Sequence, residues 1–250
     1  MKAMLFAAGK GTRLKPLTDR HPKCLVTAAD TTLLEHNIRH LMQNGVTSIV
    51  INTHHFGQQI VEFIEAKEFE VDIQISEEKE LLETGGGLLL AADHFRDEEA
   101  FLVCNSDIYT NLDLRSLVIS HLENENLATL AVSDRKTSRY LRFNNQQLLC
   151  GWENGKTGEQ ISWNQDSYQT WAFNGIQVLS PGIFEYMDDF GSKFSTIPVY
   201  LKAAQAKARI AMHAMDDAYW IDIGTIEKLE ELRAYLVTNP SRRLKPPQSY

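Results

Sequence analysis

Four short segments bring together residue types suited to binding phosphate and a metal ion. Ala7-Ala8-Gly9-Lys10-Gly11-Thr12-Arg13-Leu14 joins two glycines to two cations. Bare glycine backbone can approach phosphate oxygens with its N–H groups while Lys and Arg supply charge. Pro22-Lys23 lies shortly after that loop, where a compact ammonium could neutralise charge on a transferring phosphoryl group. Glu83-Thr84-Gly85-Gly86-Gly87 carries three successive glycines. Their entropic cost suggests a flat group such as a nucleobase packed on bare backbone, or else tight packing inside the protein. Asn105-Ser106-Asp107 follows the apolar run 101–104. A carboxylate just past a buried strand suits magnesium, which takes one or two carboxylates plus phosphates and water. Asp222, in Trp220-Ile221-Asp222-Ile223-Gly224-Thr225, repeats the pattern and is the candidate second ligand. Either aspartate alone also fits a loop residue or helix cap. The glycine loop alone also fits an ordinary strand-to-helix turn with two solvated cations.

Several familiar chemistries are excluded. The loop 7–14 lacks the Gly-Lys-Ser/Thr ending of a P-loop, and Leu14 stands where the dinucleotide fingerprint needs its third glycine. No Ser-His-Asp or Cys-His arrangement is evident, and His54 and His55 read as surface-loop residues. Cys24, Cys104 and Cys150 have no close pairing, which argues against a disulfide framework or a Cys-x-x-Cys zinc site. Cys104 reads as a small core residue.

The elements that must position these segments follow from hydrophobic period. Residues 3–7, 48–52, 71–75 and 101–104 are apolar runs of strand length. Between them, residues 32–44, 58–66 and 88–94 read as helices. Leu34, Ile38, Leu41 and Met42 form one buried helical face, with capping-box spacing at Thr32 and Glu35 and a stop at Gly45. Alternating strands and helices imply right-handed β-α-β units and a Rossmann-like, mostly parallel sheet flanked by helices. In such sheets ligands bind beyond the carboxyl ends of strands, where all four segments fall. After residue 127 the pattern changes to β-prone stretches at 127–133, 139–144, 147–152 and 170–179, read as a small antiparallel extension of the same sheet. Residues 196–207 and 225–237 read as helices.

The bulk properties set limits. At 250 residues and 43% apolar content the chain suits one domain, or two at most. Residues 1–240 are read as a single domain with halves 1–126 and 127–240, and 241–250 as a mobile tail. The apolar start is broken by Gly9, Lys10 and Arg13, too early for a secretory signal, and no other run approaches membrane-spanning length. The expected location is cytoplasmic, without a membrane partner. A net charge of −8 argues against a nucleic-acid partner but allows small phosphorylated substrates.

Taken together, residues 2–23 resemble the signature of sugar-1-phosphate nucleotidyltransferases: an apolar strand, Ala-Ala-Gly-x-Gly-Thr-Arg-Leu, Pro16-Leu17-Thr18 and Pro22-Lys23-Cys24-Leu25. The resemblance continues in order through Glu83 to Gly87, Asn105 to Asp107, Phe173-Asn174-Gly175-Ile176 and Trp220 to Thr225. Within the family the chain looks most similar to N-acetylmuramate-1-phosphate uridylyltransferases, mainly through Leu82-Glu83-Thr84-Gly85-Gly86-Gly87 and compact length. The resemblance implies a GT-A-like fold and Mg2+-dependent transfer of a nucleotide from an NTP, with UTP favoured, to a sugar-1-phosphate, by a monomer or homodimer. It implies catalytic roles for Arg13, Lys23 and Asp107. Nucleotide contacts would come from Ala8, Gly9, Gly11, Thr12, Arg13, Glu80 and Gly85, sugar contacts from Asn105, Asn174 and Gly175, and metal ligation from Asp107 and Asp222. The alternatives are mannose-1-phosphate guanylyltransferase, phosphocholine cytidylyltransferase with a cage from Trp152, Trp163 and Trp171, and a regulatory nucleotide-binding subunit. Two departures stand out. The family's adjacent Glu-Lys pair is missing from residues 151–169, which have Glu153 and Lys156 but no adjacent pair, and Ser106 replaces the usual glycine.

Overall fold

The structure, a computed structural model, describes residues 1–163, 167–215 and 218–240. The expected tail, residues 241–250, lies outside the described residues.

The first half is laid down as the apolar periods dictate. Strand β1 (Lys2–Phe6) leads through the glycine loop to a small ribbon, β2 (Thr27–Ala28) and β3 (Thr31–Thr32), and into α1 (Leu33–Gln43). Thr32 caps that helix by accepting from the Glu35 amide at 3.1 Å, a contact worth about 1 kcal/mol. There follow β4 (Ser48–Thr53), α2 (Gly57–Lys67), β5 (Asp72–Glu77), α3 (Glu83–Leu90), β6 (Phe101–Asn105), the short β7 (Ile108–Thr110) and α4 (Leu114–Glu123). Strands β5, β4, β1 and β6 pair in parallel in that spatial order. Successive residues of β1 point to opposite faces: Ala3 and Leu5 pack with α1, α2 and α4, and Met4 with α3 and the second half.

The second half extends the same sheet. It comprises β8 (Ala128–Ser133), β9 (Arg139–Asn144), β10 (Leu149–Asn154), β11 (Gln160–Ser162), the long β12 (Tyr168–Leu179), α5 (Thr196–Gln205), β13 (Ile210–Ala214), β14 (Trp220–Asp222) and α6 (Ile226–Thr238). Strand β12 pairs antiparallel with β6, β8 and β9, joining the halves into one ten-stranded sheet. Its pairing with β8 slips between Phe173 and Gln177, where Gly175 takes φ 71°. Such a bulge re-aims the chain beside a site.

One expectation needs correction, and two elements were not expected. The helix placed at 88–94 begins at Glu83, so the glycine run lies inside α3, and residues Ala92–His94 form a separate 3-10 turn. Close packing outweighs helix propensity here. Strand β13, which runs parallel to β8, and helix α4 escape the periodic reading.

Candidate active site

A cleft of about 350 Å³ opens at the carboxyl ends of β1 and β6, and Ala8, Asn52, Glu78, Thr84, Asn105 and Asp107 are among its walls. A second, about 220 Å³, is bounded by residues 9–13 and Gly224 and shares Gly9, Lys23 and Asp107 with the first. One hollow has the room for a nucleoside, and the other is the basic loop suited to phosphates.

Local geometry explains the loop. The Ala7 amide donates to Asn52 Oδ1 at 2.7 Å, pinning the end of β1. Gly9 is exposed and has open space where a Cβ would stand, so a ligand can approach its backbone. Gly11 takes φ 63°, and a Cβ there would lie 2.9 Å from Lys23 Cβ. Thr12 and Arg13 begin a 3-10 turn anchored by the fully buried Leu14, leaving both exposed.

The charged centre forms where two chain segments meet. Lys23 Nζ donates to Asp107 Oδ2 in an ion pair. Ser106 Oγ donates to the Phe6 carbonyl at 2.6 Å, and the Asn37 carboxamide donates to the Ser106 and Ile108 carbonyls, fixing the turn that carries Asp107. Strand β14 pairs with β7 so that Asp222 opposes Ile108, and the Ile223 amide donates to the Asp107 carbonyl at 2.8 Å. Asp107 and Asp222 are therefore neighbours across a two-stranded ladder. Two half-exposed carboxylates beside a phosphate-sized hollow are a donor set of the hard-oxygen kind that suits Mg2+. Among the described residues no cluster of three or more potential ligands exists.

Other expected residues fall elsewhere. Glu80 is exposed and does not line the cleft; Glu78, 2% exposed, does. Glu78 accepts from Asn52 Nδ2 at 2.5 Å and from the Leu82 amide at 3.0 Å. The glycine run is filled by the protein itself. The Gly85 and Gly86 amides donate to the Phe194 carbonyl, and added Cβ atoms would stand 2.3 Å from the Phe194 ring at Gly85 and 2.1 Å from the Ser192 carbonyl at Gly86. Gly85 thus packs on Phe194 and leaves no bare face for a base. Asn105 lines the cleft, with Gly175 pressed against it: a Cβ at Gly175 would stand 2.5 Å from Asn105 Nδ2. Asn174 is 1% exposed, so its carboxamide cannot touch a ligand. It accepts from Arg135 Nε at 3.0 Å and from Ser133 Oγ at 3.1 Å.

Asn52 and Glu78 are the cleft-lining residues that sequence reasoning misses, and Arg135, beyond the hollows, is a half-buried cation on Asn174 that it also misses. Burial pulls the Arg135 guanidinium below its ordinary pKa, opposed by the charge of Asp222. Cys24, at the cleft wall, is pushed up to about 12 by burial and is no nucleophile.

A mostly parallel nucleotide-side sheet, a glycine loop beyond β1 and paired strand-end carboxylates are the parts of an α/β enzyme site suited to phosphate. The profile for nucleotidyl transferases matches residues 2–239, and the chain belongs to that family. It is 29% identical over 228 residues to the catalytic subunit beta of mannose-1-phosphate guanylyltransferase from Dictyostelium discoideum, covering 90% of this chain and 61% of that one. It is 30% identical over 256 residues to mannose-1-phosphate guanylyltransferase 1 of Arabidopsis thaliana, covering 94% and 65%. The chain thus spans under two thirds of the length of these relatives. Among solved structures it is similar to HddC from Yersinia pseudotuberculosis, with TM-score 0.76, 21% identity and 94% and 99% coverage. It is also similar to the inositol-1-phosphate CTP transferase from T. maritima, with TM-score 0.75, 20% identity and 93% and 94% coverage. These likenesses agree with the α/β fold. No helix among the described residues is long and apolar enough to cross a membrane.

Proposed function

We propose that the protein transfers a nucleoside monophosphate from an NTP to a sugar-1-phosphate and releases pyrophosphate. The observation that carries this reading is the Lys23–Asp107 ion pair, with Asp222 beside it, at the junction of a nucleoside-sized cleft and a basic glycine loop. The attacking phosphate oxygen of the acceptor is already ionised at neutral pH, so no side-chain base is needed. What the reaction requires is alignment of two anions and cancellation of their repulsion. Lys23 supplies positive charge at the junction, and Arg13 holds the β- and γ-phosphates that leave. Asp107 and Asp222 would hold a Mg2+ ion, whose chemistry is neutralisation of phosphate charge.

The relatives named mannose-1-phosphate guanylyltransferases favour GTP and mannose-1-phosphate over UTP and N-acetylmuramate-1-phosphate. No relative or neighbour described above is a muramate-1-phosphate uridylyltransferase. Trp152, Trp163 and Trp171 pack against the core of the second half, which disfavours an aromatic cage for phosphocholine. The test is Mg2+-dependent pyrophosphate release from a panel of NTPs and sugar-1-phosphates, with CTP and phosphocholine included. Release with GTP and mannose-1-phosphate, abolished by Asp107→Ala, is the expected result. NTP binding without release from any pair would favour a regulatory subunit instead.

A further inference from the structure

The face of β14 and its extension is laid out in charge order. Ile221 and Ile223 turn into the core, so Trp220 and Asp222 share the opposite face of β14, and Gly224 follows just beyond the strand end. The Arg13 guanidinium lies against Gly224 at one end, where a Cβ would come within 3.1 Å of Nη2. At the other end the Arg135 guanidinium lies over the Trp220 ring, 4.3 Å from its centroid. The positions two residues before and two residues after Asp222 therefore each lie against an arginine guanidinium.

We propose that Arg135 holds the phosphate of the acceptor, on the side of Asp222 opposite Arg13, and that Asn174 is its positioning residue. This rests on the functional reading above. In phosphoryl transfer the attacking and leaving oxygens stand roughly in line on opposite sides of phosphorus, so a cation is useful at each end. Arg135 is fixed for the task. Its Nε donates to Asn174 Oδ1, its Nη2 donates to the Phe173 carbonyl at 2.8 Å, and Trp220 Nε1 donates to the Asn174 carbonyl at 2.9 Å. Its hydrogen-bond acceptors are all neutral, and among the described residues no carboxylate forms an ion pair with it. Of five N–H donors, two are accounted for among the described residues, leaving donors for a bidentate oxyanion.

The same arrangement explains the missing Glu-Lys pair. Glu153 is held by Arg142, whose Nε donates to it at 2.7 Å, and is taken up inside the antiparallel extension. Lys156 is exposed on the turn after β10. The acceptor-side cation therefore comes from the loop after β8 rather than from β10.

Steady-state kinetics with GTP and mannose-1-phosphate, together with equilibrium binding of GTP, test this in wild type, Arg135→Gln, Arg135→Lys and Asn174→Ala. Arg135→Gln should raise the acceptor KM roughly 10- to 100-fold while GTP affinity and GTP KM stay within about twofold. Arg135→Lys should recover part of the loss. Asn174→Ala should raise the acceptor KM in the same direction, and its effect should vanish in the Arg135→Gln background, which a merely structural Asn174 would not produce. An unchanged acceptor KM in Arg135→Gln, or an equal rise for both substrates, overturns the proposal alone. Wild-type protein that binds GTP but releases no pyrophosphate with any acceptor overturns the functional reading and this proposal together.

Discussion

Arg13 and Gly224 are in contact across the mouth of the phosphate hollow: an added Cβ at 224 would lie 3.1 Å from Nη2 and 3.3 Å from Cζ of the arginine. The atom displaced is the far end of an exposed, flexible side chain, so the fold should tolerate a substitution that the site does not. Gly224→Val should raise the KM for NTP about tenfold, the size of one lost charge-assisted contact, with the melting temperature nearly unchanged. Equal NTP KM values for the two proteins would separate Arg13 from the triphosphate.

Lys23 is the cation that links the loop to the Asp107 carboxylate. It and Asp107 are only partly buried, at 12% and 29% side-chain exposure, so their ion pair contributes little to stability. Lys23→Ala should therefore lower kcat by roughly 100-fold or more, as removal of an electrostatic stabiliser does, while urea unfolding stays close to wild type. A variant with near-normal turnover would contradict the electrostatic account.

Gly11 serves Lys23 twice. Its φ of 63° belongs to the left-handed region, and its missing Cβ leaves room for Lys23 Cβ and Thr18 Cγ2 at 2.9 and 3.0 Å from where that atom would stand. Gly11→Ala should cost about 1 kcal/mol in stability and lower kcat as well, because the lysine stem must shift. Loss of stability without loss of turnover would show that Lys23 adapts.

These residues are legible in the sequence because each sits just beyond an apolar run whose end can be read. Asp107 follows β6, Asp222 ends β14, and the loop follows β1. The cleft wall at Glu78 is not legible in the same way. Glu77-Glu78-Lys79-Glu80 is a polar run in which composition favours no single carboxylate. The available signal was strand alternation: Ser76 is buried, and two residues on, Glu78 is buried too. Asn174 was expected at the sugar, but burial sends its carboxamide to Arg135. A bulge in β12, invisible to a period-two reading, makes that contact possible. The three glycines signalled close approach correctly, but the approaching groups belong to the protein: Phe194 at Gly85, Ser192 at Gly86, and Glu78 and Asn52 at Gly87.

The thiols supply a check on burial. Cys24 and Cys104 are each pushed up to about 12 by burial, and Cys150 is 5% exposed. At pH 8 the native protein should react with a thiol reagent no faster than it opens or unfolds, far more slowly than exposed cysteines react. All three thiols should titrate in denaturant. Rapid native labelling of Cys24 would mean that the cleft wall opens.

Acid should destabilise the fold through buried histidines well before the carboxylates protonate. His36, stacked on Tyr109, is lowered to about 3, His40, next to Asp113, to about 4, and His121, between Thr129 and Ser180, to about 4, in each case first by burial. The unfolded chain takes up these protons near pH 6.5 and the native state does not, so stability is full above 6.5 and falls as pH drops from there toward 4. Each histidine adds a slope of up to about 1.4 kcal/mol per pH unit, or roughly 4 for the three together. Urea midpoints measured between pH 7.5 and 5 should fall steeply in wild type. In His36→Phe, which keeps a ring against Tyr109, the slope should lessen by about a third even though the loss of the Thr110 hydrogen bond lowers the starting stability. A flat profile from pH 7.5 to 5 would mean that these rings are hydrated in the native state.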